Sequence, residues 1–282
     1  MLVISTVNGA RARRAELACT GRRLAFVPTM GALHEGHLAL VRRGLGLADE
    51  VWASVFVNPT QFAPGEDFDR YPRDLERDRG LLEKAGATLL FAPSTKEIYP
   101  RPSATVLDVP QLADGLCGAF RPGHFQGVAL VVAKLLNIVQ PHIALFGAKD
   151  WQQAVVIRRM AADLCSPVRI EICPTEREED GLARSSRNAY LAPEERRAAT
   201  VLHRTLELAT AAVRAGERSG AALEAKAAAE VAGEPLARLQ YVAAVDPERL
   251  TPLATISNHV LVALAVHVGA TRLIDNVLVE VS

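Results

Sequence analysis

The stretch FVPTMGALHEGHLALV, residues 26–41, decides the fold of this chain and indicates where its chemistry lies. Its first residues belong to an apolar run that is typical of a buried strand, Pro28 interrupts the run, and a helix-like apolar spacing follows. Two of the chain's seven histidines, His34 and His37, stand three residues apart where that helix should begin. A strand, a glycine-containing loop and a helix start are typical of a phosphate-binding turn, because free N–H groups and the helix dipole favour anions there.

The histidine pair has three interpretations: phosphate binding, metal binding and packing. Residues at i and i+3 share one helix face, so both imidazoles could donate hydrogen bonds to phosphate oxygens as charge builds on them. Gly31 and Gly36 would let a ligand approach the backbone. Metal is the least favoured, because the spacing is HxxH rather than HExxH and no third ligand is evident. Spacing alone does not exclude packing.

The flanking sequence predicts an α/β fold with a doubly wound parallel sheet. Short β-branched runs alternate with amphipathic stretches, which is typical of parallel strands covered by helices on both faces. Ligands of such sheets bind beyond the carboxyl ends of the strands, so we expect functional residues to follow the strands. The predicted strands are Leu24–Val27, Val51–Val57, Thr88–Phe91, Ile143–Phe146 and Val168–Ile172, and the predicted helices are Leu38–Leu47, Asp74–Ala85, Val128–Val139 and Trp151–Leu164.

The sequence changes in character after about Tyr190. Residues 191–216 predict one helix that starts at a proline and carries glutamates in its first turn. An Ala-rich helix is predicted over Ser219–Val231. Strands are predicted over Leu239–Val245, Val260–Val268 and Ile274–Val281. We therefore predict two domains, residues 1–187 and a smaller α+β domain over residues 188–282.

Composition and charge exclude several classes of protein. A chain of 282 residues with 49% hydrophobic residues can bury a large core. Its 32 basic and 32 acidic residues balance, so the basic footprint of a nucleic-acid binder is missing. The four cysteines show neither CxxC nor zinc-ligand spacing. The N-terminus lacks the order of a secretory signal, and the longest late apolar run, Val260–Val266, is too short to span a bilayer. We expect a cytoplasmic protein with neither a membrane nor a nucleic-acid partner.

Several ordered motifs carry a family resemblance. PTMGALHEGH resembles the HxGH signature of the nucleotidylyltransferase superfamily, in the form used by the pantothenate synthetase (pantoate–β-alanine ligase) family. The resemblance extends over nearly the whole chain, because six further segments occur in that family's order. They are VFVNPTQF (55–62), YPRDLERD (71–78), FRPGHFQGVALVVAKLLNIVQP (120–141), FGAKDWQQ (146–153), DGLARSSRNAYL (180–191) and TRLIDN (271–276).

The resemblance implies an ATP-dependent, AMP-forming ligase of pantothenate biosynthesis. The carboxylate of (R)-pantoate would attack the α-phosphorus of ATP to give pantoyl adenylate and pyrophosphate, and the amine of β-alanine would then release AMP and pantothenate. Such chemistry requires neutralised phosphates, aligned reactants and exclusion of water. The resemblance also implies a Rossmann-like first domain that binds nucleotide and pantoate, a second domain that acts as a lid, and a homodimer. Alternatives are a related nucleotidylyltransferase for another acid or a phosphorylated acceptor, and a non-catalytic nucleotide-binding relative.

The resemblance places the catalytic groups around ATP. Its catalytic set is His37, His34, Lys149, Ser185 and Arg187, with Lys149 as a point charge and Arg187 as a bidentate phosphate donor in a mobile loop. Considered alone, the Lys149–Asp150 pair and the SSRN segment would be an ordinary solvated pair and a polar loop. The predicted ATP-binding residues are Met30, Gly31, Ala32, Leu33, His34, Glu35, Gly36, His37, Gly147, Ala148, Lys149, Asp150, Glu176, Arg184, Ser185, Ser186 and Arg187.

Amide side chains are the predicted ligands of the acid substrate. By resemblance Gln61 and Gln153 bind pantoate, and Gln61 also lies near β-alanine; an amide offers both a donor and an acceptor. Asn58 is expected to shape the same pocket, although a turn role suits it equally well. The supporting candidates for pantoate and β-alanine are Tyr71, Arg121 and His124.

Metal binding is predicted mainly through the nucleotide. Mg²⁺ should arrive on the ATP phosphates, because this ion keeps much of its water. Asp78 matches an acidic family position near the metal, and a solvated helix residue is the alternative. Three ATP-site positions, Ala148, Glu176 and Arg184, depart from the family pattern and leave the affinity for ATP open.

Overall fold

A six-stranded sheet organises the first of two units in the computed structural model, which describes residues 1–63, 65–101 and 103–281. The first unit comprises Met1–Ala113, Arg121–Gly147 and Gln153–Pro174, and the second comprises Asp114–Phe120, Ala148–Gln152 and Thr175–Ser282. The second unit thus takes two short segments from the part of the chain that otherwise builds the first unit. The domain boundary between residues 187 and 188 stays a prediction.

The sheet of the first unit is entirely parallel, with the strand order β1-β4-β3-β2-β5-β6. Its strands are β1 (Leu2–Ile4), β2 (Leu24–Thr29), β3 (Glu50–Val55), β4 (Leu89–Phe91), β5 (Ile143–Gly147) and β6 (Arg169–Cys173). The chain builds outward from β2 on both sides, so the order switches between β2 and β5, where the crevice of such a sheet is expected. The predicted α/β parallel class is confirmed. The sequence prediction missed β1, whose three residues are partly exposed and lack a buried pattern.

Helices cover both faces of this sheet. Phe26 packs in one core cluster and its neighbour Val27 in the other, because successive side chains of a strand point to opposite faces. Burial on both faces explains why the strands read as continuous apolar runs. The helices along this part of the chain are α1 (Val7–Ala18), α2 (Glu35–Leu45), α3 (Leu75–Ala85), α4 (Thr95–Ile98), α5 (Pro110–Ala113), α6 (Cys117–Phe120), α7 (His124–Val139) and α8 (Trp151–Asp163).

The second unit contains a three-stranded antiparallel sheet with the order β7-β8-β9. Its later elements are α9 (Pro193–Ala198), α10 (Val201–Arg214), α11 (Gly220–Ala232), β7 (Ala237–Val245), β8 (His259–Val268) and β9 (Thr271–Glu280). The helix predicted as one over residues 191–216 was wrong, because the chain turns at Ala199 and Thr200. There the Thr200 hydroxyl donates to the Arg197 carbonyl at 2.8 Å and ends α9.

No helix in the described ranges has both the length and the apolar character needed to cross a membrane.

Candidate active site

The loop between β2 and α2 adopts an unusual backbone conformation. Gly31 and Ala32 both have positive φ angles, 85° and 52°. A side chain at Gly31 would place its Cβ 2.9 Å from Oδ2 of Asp78 and 3.0 Å from Cγ1 of Val55. Position 31 therefore requires glycine for conformation and for space. Ala32 has no such freedom, so neighbouring groups must hold it in the left-handed region.

Asp78, on α3, holds this loop in place. Its carboxylate is buried, with 1% exposure, and it accepts hydrogen bonds from the N–H groups of Ala32 at 2.9 Å and Leu33 at 2.8 Å. These two N–H groups belong to the peptide planes on either side of the Ala32 Cα, so the carboxylate fixes both dihedral angles of Ala32. Burial raises the pKa of Asp78 above its usual value, and the two backbone bonds oppose that rise.

The contacts of Asp78 do not fit a protein-built metal site. Both of its oxygens accept backbone N–H groups of the loop. Within the described ranges, no group of three or more histidine, cysteine, aspartate or glutamate side chains could hold a metal ion. The geometry favours a loop-fixing role over the predicted role as a metal ligand.

The histidine pair caps α2 and has a defined tautomer. His34 is the N-cap, and its Nδ1 accepts the N–H of Gly36 at 3.2 Å. His37 occupies the third helical position, and its Nδ1 accepts the N–H of His34 at 3.4 Å. A neutral imidazole whose Nδ1 accepts carries its hydrogen on Nε2. The rings lie 4.1 Å apart between centroids. Helix capping explains part of the three-residue spacing of the two histidines. Because Nδ1 of each ring accepts a capping bond, the N–H that each neutral ring can donate is on Nε2.

The turn after β3 is built around Asn58. This buried amide donates to the side-chain oxygen of Gln61 and to the carbonyl of Gly127, both at 3.1 Å. Its oxygen accepts the Tyr99 hydroxyl at 3.0 Å. Asn58 thereby fixes the 3₁₀ turn Pro59–Gln61, as the turn interpretation expects.

Gln61 lies next to the histidine loop within the first unit. Its amide nitrogen is 3.0 Å from Sδ of Met30, a member of the predicted ATP-binding set. The Tyr71 hydroxyl lies 3.5 Å from the carbonyl of Gly31 in the same loop. The fold therefore gathers Gln61, Tyr71 and the loop, which come from three different motifs of the sequence.

Arg121 and His124 bind protein groups in this structure. Arg121 forms a bidentate pair with Glu66, 2.7 Å at each oxygen, and lies 3.0 Å from Nε2 of His124. Nδ1 of His124 is 2.8 Å from the Gln61 carbonyl, which only accepts, so here Nδ1 carries the hydrogen. Burial raises the pKa of Glu66, but the hydrogen bond and charge of Arg121 outweigh it, so the pKa lies below its usual value. Both residues thus fix the backbone of Gln61, and the sequence prediction missed Glu66.

Two further predicted site residues, Gln153 and Gly147, lie in the first unit. Gln153 lies half-buried near the start of α8. Among the described residues it has no side-chain hydrogen bond, so its amide retains a donor and an acceptor for a ligand. Gly147 is the last residue of β5, as expected for a site beyond the strand ends.

In the second unit, the turn Ala148–Asp150 carries Lys149. The Lys149 ammonium lies 3.6 Å from the Asp150 carboxylate. Asn276, on β9, is buried and donates to the carbonyls of Ala148 at 3.0 Å and Lys149 at 2.8 Å. Asn276 belongs to the TRLIDN motif, but no role was predicted for it, because an Asp-Asn pair inside a strand carries no local signal.

The SSRN segment of the second unit is a short 3₁₀ helix, Ser186–Tyr190, that Ser185 caps. The Ser185 hydroxyl accepts the N–H of Arg187 at 3.3 Å. The amide of Asn188 donates to Glu178 and to the carbonyl of Ala183, at 3.0 and 3.1 Å.

Glu176 and Arg184, the two residues near the SSRN segment that depart from the family pattern, lie side by side. The N–H of Arg184 donates to the carbonyl of Glu176 at 2.9 Å, next to an antiparallel bridge between Arg177 and Ala183. A main-chain pairing of this kind depends little on which side chains the two positions carry.

This chain is similar to the proteins of one family over nearly its whole length. The family model described as pantoate-beta-alanine ligase matches residues 2–278. A pantothenate synthetase of Heliobacterium modesticaldum is 52% identical over 281 residues, 100% of both chains. One from Pelotomaculum thermopropionicum is 54% identical over 276 residues, 98% of both.

Solved structures agree in fold. Pantothenate synthetase from Thermus thermophilus has a TM-score of 0.93 at 49% identity, covering 98% of this chain and 99% of that chain. Pantoate-beta-alanine ligase from Francisella tularensis, complexed with beta-gamma ATP and beta-alanine, has a TM-score of 0.81 at 33% identity, covering 99% and 97%.

Proposed function

The chain belongs to the pantoate-beta-alanine ligase family, and we propose that it joins pantoate to β-alanine at the expense of ATP. The carboxylate of (R)-pantoate attacks the α-phosphorus of ATP, which gives pantoyl adenylate and pyrophosphate. The amine of β-alanine then attacks the acyl carbon and releases AMP and pantothenate. The observation that carries this proposal is the His34–His37 pair, which presents Nε2–H donors at the N-terminus of α2.

The histidine loop would stabilise charge during adenylate formation. Negative charge grows on the phosphate oxygens as pyrophosphate leaves, and donors that are already oriented cost little reorganisation at that moment. Because Nδ1 of each ring accepts a capping bond, the Nε2–H of each neutral imidazole is the donor that would face the phosphates. The helix dipole adds positive potential at the same place.

Gln61 and Gln153 would bind the hydroxy acid. Gln61 is held from three sides: its side-chain oxygen by Asn58 and its carbonyl by Arg121 and His124. A fixed amide can distinguish the hydroxyl and carboxylate of pantoate. We assign Arg121 and His124 to positioning Gln61, because Glu66 already neutralises Arg121.

The other predicted roles stay proposals. Lys149, Ser185 and Arg187 would add positive charge and donors to the phosphates, and Mg²⁺ would enter bound to ATP and neutralise phosphate charge. Cytoplasmic location and a homodimer are likewise proposed; sedimentation of the purified protein tests the dimer.

The reaction itself is tested by supplying ATP, Mg²⁺, pantoate and β-alanine and measuring pantothenate, AMP and pyrophosphate. We expect all three products in equal amounts. Pantoate-dependent pyrophosphate release without amide formation would indicate another amine acceptor. Binding of ATP without any turnover would support a non-catalytic relative and contradict the proposal.

A further inference from the structure

Lys149 lies on a turn whose backbone is fixed from a distant strand. Ala148–Asp150 is a single 3₁₀ turn between the end of β5 at Gly147 and the start of α8 at Trp151. Its first two carbonyls accept hydrogen bonds from the two hydrogens of one amide group, that of Asn276. Asn276 is 127 residues away from Lys149 in the chain.

These two bonds determine the backbone angles of Lys149. The carbonyl of Ala148 belongs to the peptide plane before the Lys149 Cα, and the carbonyl of Lys149 belongs to the plane after it. Because each peptide is planar, fixing both planes fixes φ and ψ of Lys149 and therefore the direction of its Cα–Cβ bond. The position of the ammonium group depends on that direction.

Asn276 is itself held firmly. It lies in the register of β9 opposite Ala263 of β8, and its own N–H donates to the carboxylate of Asp275 at 2.8 Å. Asp275 is buried and forms a bidentate pair with Arg177, at 2.7 and 3.1 Å. A rigid sheet thus supports the amide that fixes the turn.

We propose that Asn276 is a positioning residue for Lys149, holding its backbone so that the ammonium can act on phosphate during adenylate formation. This inference rests on the proposed function of Lys149. Asn276 does not contact the substrate in this scheme. It acts through the turn, so its effect on the reaction requires the Lys149 side chain.

The test is a double-mutant cycle on the purified protein, with pantoate-dependent adenylate formation followed in a single turnover. Asn276→Ala should lower this rate roughly 10- to 100-fold, because small misplacements of a catalytic group have such effects. It should leave the affinity for pantoate unchanged. Asn276→Asp, which keeps the shape but presents acceptors to two carbonyls, should be at least as impaired. A space-filling role predicts the opposite order and would overturn the proposal.

The Lys149→Ala protein shows whether Asn276 acts through Lys149. In Lys149→Ala protein, adding Asn276→Ala should lower the rate little further, because the group that it positions is gone. An undiminished effect in that background would refute the inference while leaving the proposed function intact. A wild-type protein that forms no adenylate would refute the proposed function instead.

Two further measurements separate positioning from simple loss of stability. Val279→Ala, on the same strand, removes a buried side chain away from the turn and serves as the matched control. It should lower the melting temperature without slowing adenylate formation. Amide hydrogen exchange of residues 148–150 should increase in Asn276→Ala but not in Val279→Ala. Unchanged exchange in the Asn276 variant would overturn the proposal whatever the activity.

Discussion

The loop of residues 30–34 and the turn of residues 148–150 are each held by two hydrogen bonds from one buried side chain. The polarity of the bonds is opposite, because one side chain accepts them and the other donates them. In the loop, the carboxylate of Asp78 accepts the two N–H groups that flank the Cα of Ala32. In the turn, the amide of Asn276 donates to the two carbonyls that flank the Cα of Lys149. Each buried side chain fixes both dihedral angles of one residue.

The difference in polarity has a consequence for each segment. Accepting N–H groups is the work of a carboxylate, which is charged and titrates. Donating to carbonyls suits an amide, which stays neutral at every pH. The stability of the loop therefore depends on pH through the residue that holds it, and it falls as pH rises through the raised pKa of Asp78, whereas the turn has no such dependence. The two segments are thus each held by two hydrogen bonds from one side chain, yet they should respond differently to pH.

The largest effect should come from the group that the loop presents. His37→Ala should slow adenylate formation roughly 100- to 1,000-fold, the usual cost of removing one donor to growing negative charge. Pantoate affinity should hardly change, because the donor acts on the transition state. Single-turnover quench experiments measure the rate. His259→Ala, on the exposed start of β8, is the control. An unchanged rate would remove the loop from the chemistry.

The next largest effect should come from removing the Asp78 carboxylate, which accepts the two N–H groups of the loop. Asp78→Ala leaves two N–H groups without their partner, at about 1–3 kcal/mol of unfolding free energy each. Adenylate formation should also fall, because Ala32 can leave its left-handed conformation. Urea unfolding measures the stability. Asp74→Asn is the control on the same helix, because Asp74 caps α3 and asparagine caps equally well.

A smaller effect should come from changing the loop backbone itself. Gly31→Ala forces a side chain into the left-handed region, at about 1–2 kcal/mol. Its Cβ would also approach Asp78 and Val55 to about 3 Å. Urea unfolding should show this loss. Gly65→Ala is the control, because that glycine also has positive φ but no neighbour within 4 Å, so only its conformational cost remains. Equal losses in both variants would mean that Asp78 does not constrain position 31.

The smallest effect should be a pH dependence of the unfolding free energy that comes from Asp78 and not from Asn276. Burial raises the pKa of Asp78 above 3.8, so its contribution to stability is fully present below that value and is lost as pH rises through the raised pKa. The unfolding free energy of wild type should therefore fall relative to Asp78→Asn over this range. Asn276→Ala, which retains Asp78, should follow the wild-type profile. Parallel curves for wild type and Asp78→Asn would contradict the direction of the shift.

Much of the fold follows from local patterns. The runs around Phe26, Trp52 and Leu145 are apolar because both faces of the sheet are covered, and such runs can be recognised without the structure. The helix break at Thr200 could not be recognised, because the residues on either side continue a helical pattern. Some predicted strand ends were exact and the others were misplaced by up to three residues, since fraying ends carry little signal.

The sequence by itself determined the alternation of strands and helices, the histidine loop with its required Gly31, and the family. Those features depend on neighbours along the chain, where periodicity and spacing record them. Only the tertiary structure decided what holds the site residues. Asp78 reaches Ala32 across 46 residues, and Glu66 reaches Arg121 across 55. Such pairs arise when packed elements bring distant polar groups into hydrogen-bonding distance, and a buried polar group must find a partner wherever the fold places it.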